Sequence, residues 1–191
     1  TPKPSSAASD VYKRQTGFRQ IVERLAKLGA TLGEPIEQVD TYYAHPSRDF
    51  GETDEAFRLR RTGTMICMTY KGPRIDANTK TRKEIEIPLA PGTDHHRQCR
   101  AMLKALGFRL VAEVRKMRRV ASWTDQGFPI EVAVDEVRDV GKFVEIETSA
   151  DAKRLASAKD RIAKVAGQLG LTQSERTSYL ELLLRSRQRQ K

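Results

Sequence analysis

The chain has 191 residues, and its 35 Lys and Arg outnumber 25 Asp and Glu to give a formal charge of +10 at pH 7. This length suits one domain with a sizeable core, and the charge favours an anionic partner such as nucleic acid, a membrane surface, a phosphorylated small molecule or polyphosphate. Two isolated cysteines argue against a zinc site and fit a reducing cytoplasm, and no apolar run approaches the roughly 20 residues that span a bilayer.

The first 15 residues are rich in Pro and Ser, with little apolar content and no periodicity. Such a composition predicts a disordered leader. The letters SSAASDVYKRQ within this segment also resemble a translated adapter sequence, which predicts that the leader is non-native. On that interpretation the first element of the domain is missing, and the fold is predicted from residue 16 onward.

After the leader, helical and strand patterns alternate with turn signals. Apolar residues at helical spacing predict helices at 16–29, 93–106, 150–169 and 174–185, with Ser149 and Ser174 as N-caps of the last two. Alternation with period two predicts strands at 34–44, 79–89, 108–122, 129–140 and 143–148, and a hairpin at 56–71 that turns at Thr62-Gly63-Thr64. This order predicts an α+β fold in one domain at 16–187, followed by a basic tail at 188–191.

Six successive strands place charged side chains opposite their aliphatic face. These charged positions are Arg58 and Arg60; Lys71; Arg82, Glu84 and Glu86; Lys116 and Arg118; Asp135; and Glu145 and Glu147. One such alternation is ordinarily a solvated strand face. Its recurrence on six strands predicts a closed barrel whose interior is charged and filled with water, with helices packed outside.

A charged interior requires that its charges be paired or satisfied by a ligand. Arg and Lys bind phosphate, so the basic set predicts a triphosphate ligand. Carboxylates would repel that ligand unless they hold Mg²⁺ or Mn²⁺, hard cations that prefer oxygen and bridge to phosphate. RNA binding through the basic run 115–119 and the tail is an alternative, and an aromatic content of only 6% argues against it.

Six short motifs follow one another in a specific order. They are Arg-Leu-Arg from residue 58, Thr-Tyr-Lys-Gly-Pro from 69, Thr-Arg-Lys-Glu-Ile-Glu from 81, Val-Arg-Lys-Met-Arg-Arg from 114, Val-Asp-Glu-Val from 134 and Val-Glu-Ile-Glu from 144. In this order they closely resemble the CYTH superfamily, the triphosphate tunnel metalloenzymes, over about residues 18–184. The stretch from Asp40-Thr-Tyr-Tyr onward is most similar to bacterial proteins called class IV adenylate cyclases.

This resemblance implies an eight-stranded antiparallel tunnel that binds a triphosphate together with Mg²⁺ or Mn²⁺. The implied phosphate-binding residues are Arg58, Arg60, Lys71, Arg82, Lys116 and Arg118. The implied acidic positions are Glu145 and Glu147, most specifically as metal ligands, with Asp135 and Glu84. The implied reaction converts ATP to cyclic AMP and pyrophosphate. The alternatives are an inorganic or thiamine triphosphatase and a module that binds polyphosphate or nucleotide without turnover. The resemblance fits a cytoplasmic protein and is compatible with a homodimer.

The family begins with a strand that carries Glu-x-Glu-x-Lys, whose glutamates bind metal and whose lysine acts near the reaction centre. No match to this motif precedes residue 16. We therefore expect the first of the eight strands to be absent through truncation of the coding sequence, and no residue is assigned as catalytic.

Overall fold

The computed structural model describes residues 6–14, 17–74, 82–150 and 153–189. In these segments the strands are β1 (Ser6–Lys13), β2 (Ile36–Ala44), β3 (Ala56–Thr62), β4 (Met65–Arg74), β5 (Arg82–Leu89), β6 (Arg109–Asp125), β7 (Phe128–Val137) and β8 (Gly141–Ala150). The helices are α1 (Phe18–Lys27), α2 (Thr93–Ala105), α3 (Leu155–Leu169) and α4 (Tyr179–Gln188).

All eight strands join one antiparallel sheet in the order β1-β8-β7-β6-β2-β3-β4-β5. The two edge strands, β1 and β5, also approach each other, so the sheet curls around a single concave face. Side chains alternate along each strand, and the curl therefore turns one set of alternate residues inward. The predicted α+β class and eight-stranded antiparallel architecture are confirmed, but within the described segments β1 and β5 are not hydrogen-bonded to each other, so the sheet is curled and not a closed barrel.

The predicted absence of the first strand is wrong, because part of the leader forms β1. This strand pairs with β8 from Ser6 opposite Ala150 to Lys13 opposite Phe143. The edge of β8 offers a row of backbone donors and acceptors, which an extended segment can satisfy with few demands on its side chains. Residues 1–5 and 15 of the predicted leader lie outside the described segments, and its non-native origin stays a prediction.

The convex face of the sheet is covered by α1, α2 and α3. Ile21 and Leu25 of α1 pack with Ile162 and Leu169 of α3 in a cluster that also contains the outward side chains of β7 and β8. Leu103 of α2 belongs to a separate cluster over β3 and β4. These helices bury the aliphatic faces of the strands, which leaves the charged faces turned to the concave side.

The last helix, α4, lies at one end of the concave face. Its Leu183 is buried in a cluster with Val11, Val114 and Phe143, residues on the same strand faces as Ser9, Lys116 and Glu145. The apolar stripe of α4 therefore closes one end of the concave face, while the charged residues occupy the part that remains open. No helix in the described segments is long and apolar enough to cross a membrane.

Two predicted helix starts are wrong. Ser149 lies in β8, where it pairs with Ala7 of β1, and α3 begins at Leu155. The N-cap of α4 is Ser178, whose side chain accepts from the backbone N–H of Glu181 in a complete capping box. Ser174 instead donates its hydroxyl to Asp10, 3.0 Å away. Both serines therefore interact with β1, the strand that was predicted to be absent, and neither caps a helix.

Candidate functional site

A cavity of about 1900 Å³ opens on the concave face of the sheet. All six predicted phosphate-binding side chains line it, from four different strands: Arg58, Arg60, Lys71, Arg82, Lys116 and Arg118. Three of the predicted acidic side chains line it as well: Glu84, Glu145 and Glu147. The curl of the sheet thus brings together residues that are almost 90 positions apart in the sequence.

Arg58 and Arg60 on β3 meet the buried carboxylate of Asp40 on β2. Arg60 donates two hydrogen bonds to it, from Nε to Oδ1 at 2.6 Å and from Nη2 to Oδ2 at 2.7 Å. Arg58 Nη1 lies 3.4 Å from Oδ2. Burial by itself raises the pKa of the Asp40 carboxyl, but the charges of Arg58 and Arg60 outweigh it and hold that pKa well below its usual range.

A second arginine, Arg118 on β6, is held in the same manner by Asp135 on β7. Its Nε and Nη2 donate to the two carboxylate oxygens at 2.7 and 2.6 Å. The hydroxyl of Tyr179 on α4 also donates to Asp135, at 3.0 Å. Asp135 is fully buried, and both of its oxygens are engaged. The structure therefore places this predicted metal ligand behind Arg118 and away from the cavity surface.

Lys116 lies between these two arginine groups. Its ammonium is 3.7 Å from Asp135 Oδ2 and 5.4 Å from the centre of the Tyr179 ring. Burial and the charge of Arg118 lower the pKa of Lys116 to about 7. A bound anion would favour the charged form, so this lysine gains a proton when an anion binds near neutral pH.

Lys71 and Arg82 complete the basic lining near β4 and β5. Lys71 Nζ donates to Glu84 at 2.5 Å, and burial together with the charge of Arg58 lowers the pKa of this lysine. Arg82 Nη1 donates to the backbone carbonyls of Asp54 and Gly72 at 3.1 and 3.2 Å. Arg82 is therefore tied to the loop that precedes β3.

Glu145 and Glu147 form the acidic wall on β8. Glu145 accepts from Arg118 Nη2 at 2.7 Å and from Ser9 Oγ at 3.1 Å. Burial and the nearby charges of Glu145 and Glu84 raise the pKa of Glu147 to about 7. Like charges held this close repel each other, and a divalent cation bound between the carboxylates would relieve that repulsion.

The chemistry of this donor set fits a hard divalent cation, although its ligands are few. Glu145, Glu147 and Glu84 supply carboxylate oxygens from two strands that face the same cavity. Within the described segments, no group of three or more acidic, His or Cys side chains is already arranged around a common point. The two inward residues of β1 next to this wall are Ser9 and Val11, where the resembled family would carry acidic ligands.

The sequence prediction missed Asp40 and Glu131. Asp40 has the same two-residue spacing from Tyr42 and Gln38 that marks other inward positions, so alternation along β2 could have found it. Glu131 lines the cavity and stands directly opposite Glu147 on the neighbouring strand. It shares a strand face with Asp135, and the same alternation indicated it.

Comparison with known proteins identifies a matching family and a similar protein. Residues 11–179 match the family described as the CYTH domain. A Methanocaldococcus jannaschii protein named "Putative adenylate cyclase MJ0240" is similar, with 36% identity over 166 residues that are 85% of this chain and 90% of that protein.

Two solved structures are similar as well. The PH1819 protein of Pyrococcus horikoshii has a TM-score of 0.79 at 34% identity, covering 94% of this chain and 98% of its own. HpAC1 of Hippeastrum, named "Putative adenylyl cyclase" and described as having a dominant triphosphatase activity, has a TM-score of 0.68 over 95% of each chain. At 13% identity, the likeness to HpAC1 shows the fold alone.

Proposed function

The chain belongs to the CYTH domain family, and from this premise we propose that its cavity binds a nucleoside triphosphate and acts on it with a divalent metal ion. The proposed reaction is that of an adenylate cyclase, which forms cyclic AMP and pyrophosphate from ATP. The proposal places this activity in the cytoplasm.

One observation carries the proposal: a basic wall and an acidic wall share one cavity. Arg58, Arg60 and Lys116 supply positive charge on the side of β2, β3 and β6, and β8 supplies Glu145 and Glu147. A single anion would be repelled by the acidic wall, and a single cation by the basic wall. A triphosphate with its metal ion presents both signs of charge and complements both walls.

One free donor in the basic wall supports this interpretation. Arg58 Nε is buried and has no hydrogen-bond partner within the described residues. An unsatisfied buried donor costs free energy, and a shift of this side chain toward the cavity would let a phosphate oxygen satisfy it. The arginines would bind and orient the phosphate chain, and Lys116 would add a point charge beside it.

Glu145 and Glu147, with Glu84, would hold Mg²⁺ or Mn²⁺. When bound, such an ion neutralises charge on the phosphate oxygens and orients the chain for displacement. In the cyclase reaction, the ribose 3′-oxygen forms a bond to the α-phosphorus and loses its proton to solvent. The bond from that phosphorus to the pyrophosphate oxygen breaks. The basic wall stabilises the charge that develops on the leaving group.

The relative from M. jannaschii, whose name contains adenylate cyclase, favours the cyclase reaction. A triphosphatase is the second candidate, in which water attacks the terminal phosphorus. The triphosphatase activity described for HpAC1 shows that this fold can carry such a reaction. Ser9 and Val11 on the inner face of β1 favour a third outcome, in which the cavity binds triphosphate without turnover.

Incubation with ATP or with tripolyphosphate, each with Mg²⁺ or Mn²⁺, distinguishes the cyclase, the triphosphatase and the binding module without turnover. We expect cyclic AMP and pyrophosphate from ATP, resolved by anion-exchange chromatography. Orthophosphate from tripolyphosphate without cyclic AMP from ATP would assign the triphosphatase, and binding by calorimetry without product would assign the module. Arg58→Ala should abolish binding, whereas Arg97→Ala, which removes an exposed arginine paired with Asp94 on α2, should leave binding unchanged.

A further inference from the structure

Asp40 on β2 is a deeply buried charged side chain beside Arg58 and Arg60 of the basic wall. Only 2% of it is exposed. It stands directly opposite Arg60 in the β2–β3 ladder, and the two side chains form a bidentate pair. Asp40 does not need to touch a ligand to affect binding, because the arginine that it holds lines the cavity.

The pair fixes the direction in which Arg60 presents its remaining donors. A guanidinium carries five N–H groups in one plane. Two of them, on Nε and Nη2, are donated to Asp40. The remaining N–H groups of Arg60 lie in the same plane and point away from Asp40. A long side chain immobilised before a ligand arrives loses less entropy when it binds.

The same construction occurs a second time. Arg118 and Asp135 are directly opposite in the β6–β7 ladder, and the same two nitrogens, Nε and Nη2, contact the carboxylate. Two arginines of the cavity therefore rest on buried aspartates with matching geometry. This repetition argues for a shared purpose at the two positions.

Neutralisation of Asp40 should change the affinity for a polyanion in opposite directions, depending on whether Asp40 acts through its charge or by orienting Arg60. Asp40 is a negative charge close to the place where a polyanion would bind, so its neutralisation should strengthen binding by simple attraction. If Asp40 acts by holding Arg60 in place, its neutralisation should weaken binding. The sign of the effect therefore separates the two.

We propose that Asp40 is a positioning residue that orients Arg60, and with it Arg58, for the phosphate groups of the substrate. This inference rests on the proposed triphosphate function. The carboxylate does not take part in the reaction itself and acts only through the arginines.

The test is Asp40→Asn, which keeps the shape of the side chain and removes its charge. We expect the Kd for tripolyphosphate in calorimetry to rise about tenfold, a size typical of coupled neighbours. The matched control is Asp94→Asn, which breaks an exposed Asp–Arg pair on α2 and should leave the Kd unchanged. Tighter or unchanged binding by Asp40→Asn overturns the proposal.

A double-mutant cycle with Arg60→Ala adds a readout that general destabilisation would not produce. If Asp40 acts mainly through Arg60, the double variant should lose less affinity than the sum of the two single losses, whereas fully additive losses contradict the proposal. Arg60→Lys serves if Asp40→Asn does not fold, because lysine keeps the charge and lacks the planar fork. Wild-type affinity in Arg60→Lys would overturn the role of the fork.

Arginine side-chain NMR keeps this test independent of the proposed function. The Nε–H of Arg60 should exchange slowly with water in the wild type and rapidly in Asp40→Asn, with no ligand present. If the wild type binds no tripolyphosphate, the proposed function is wrong. The exchange measurement still tests whether Asp40 holds the side chain of Arg60 in place. Equal exchange in both proteins overturns the proposal.

Discussion

At the scale of single residues, the charges of the concave face are arranged as partners. Arg60 rests on Asp40, Arg118 on Asp135, and Lys71 on Glu84. Buried charges are costly unless they are paired, so these contacts allow the strands to keep arginines on an inner face. They also tie each basic group to one position before any ligand binds.

Lys116 leads to a prediction about pH. Its pKa of about 7 in the free protein lies below the ordinary lysine value, and a bound polyanion should raise it again. Above pH 7 the lysine must therefore take up a proton on binding, so the affinity for tripolyphosphate should fall as the pH rises from about 7 to about 9. Calorimetry in two buffers of different ionisation enthalpy measures the proton uptake.

The control for this titration is Lys116→Met, which removes the ammonium and keeps an unbranched side chain. Protons bound by tripolyphosphate itself contribute equally to both proteins, so the difference between them isolates the lysine. Equal proton uptake by the wild type and Lys116→Met would contradict the lowered pKa.

At the scale of elements, the strands follow their two-residue alternation closely. The β3–β4 hairpin turns where the pattern predicted, at Gly63, whose positive φ of 59° suits a residue without a Cβ. The helix starts follow local patterns less reliably, because α3 begins without a side-chain cap and α4 has two serines, Ser174 and Ser178, that could each act as one. Ser178 was selected because Glu181 completes a capping box with it.

Removal of this cap should destabilise the protein. We expect Ser178→Ala to lower the free energy of unfolding by about 1 kcal/mol, since a backbone N–H at the start of α4 loses its acceptor. Urea denaturation followed by circular dichroism measures the change. Ser186→Ala, within the same helix, should cost little because alanine favours helix. Equal losses in both variants would argue against the cap.

At the scale of the whole molecule, the curled sheet separates apolar and charged residues between its two faces. Three helices cover the convex face, and α4 closes one end of the concave face. Burial in the remaining cavity, together with like charges nearby, raises the pKa of Glu147 and lowers the pKa of Lys71. A ligand of complementary charge should therefore stabilise the entire fold.

Thermal melting tests this expectation. Tripolyphosphate with Mg²⁺ at one hundred times its Kd should stabilise the native state by about 2.7 kcal/mol, which raises the Tm of a chain of this size by roughly 5–10 °C. Differential scanning fluorimetry at constant ionic strength measures the shift. Arg58→Ala should lose it and Arg97→Ala, with the same net charge, should keep it. An equal rise in both variants would indicate attraction to surface charge alone.

The sequence by itself determined charged residues that face the cavity on five strands, β3, β4, β5, β6 and β8. The reason is local, because alternation along a strand sends Arg58 and Arg60 to one face and Leu59 to the other whatever the strand pairs with. The motifs then indicated the family, and the family match confirmed it. The identity of the basic and acidic walls was therefore available before the fold was known.

Only the tertiary structure decided how these charges are paired. The register of β2 on β3 places Asp40 opposite Arg60, and that of β6 on β7 places Asp135 opposite Arg118. Likewise, the open edge of β8 converts a segment with no strand pattern into β1. These outcomes depend on which strands become neighbours, and alternation within one strand carries no information about its neighbour.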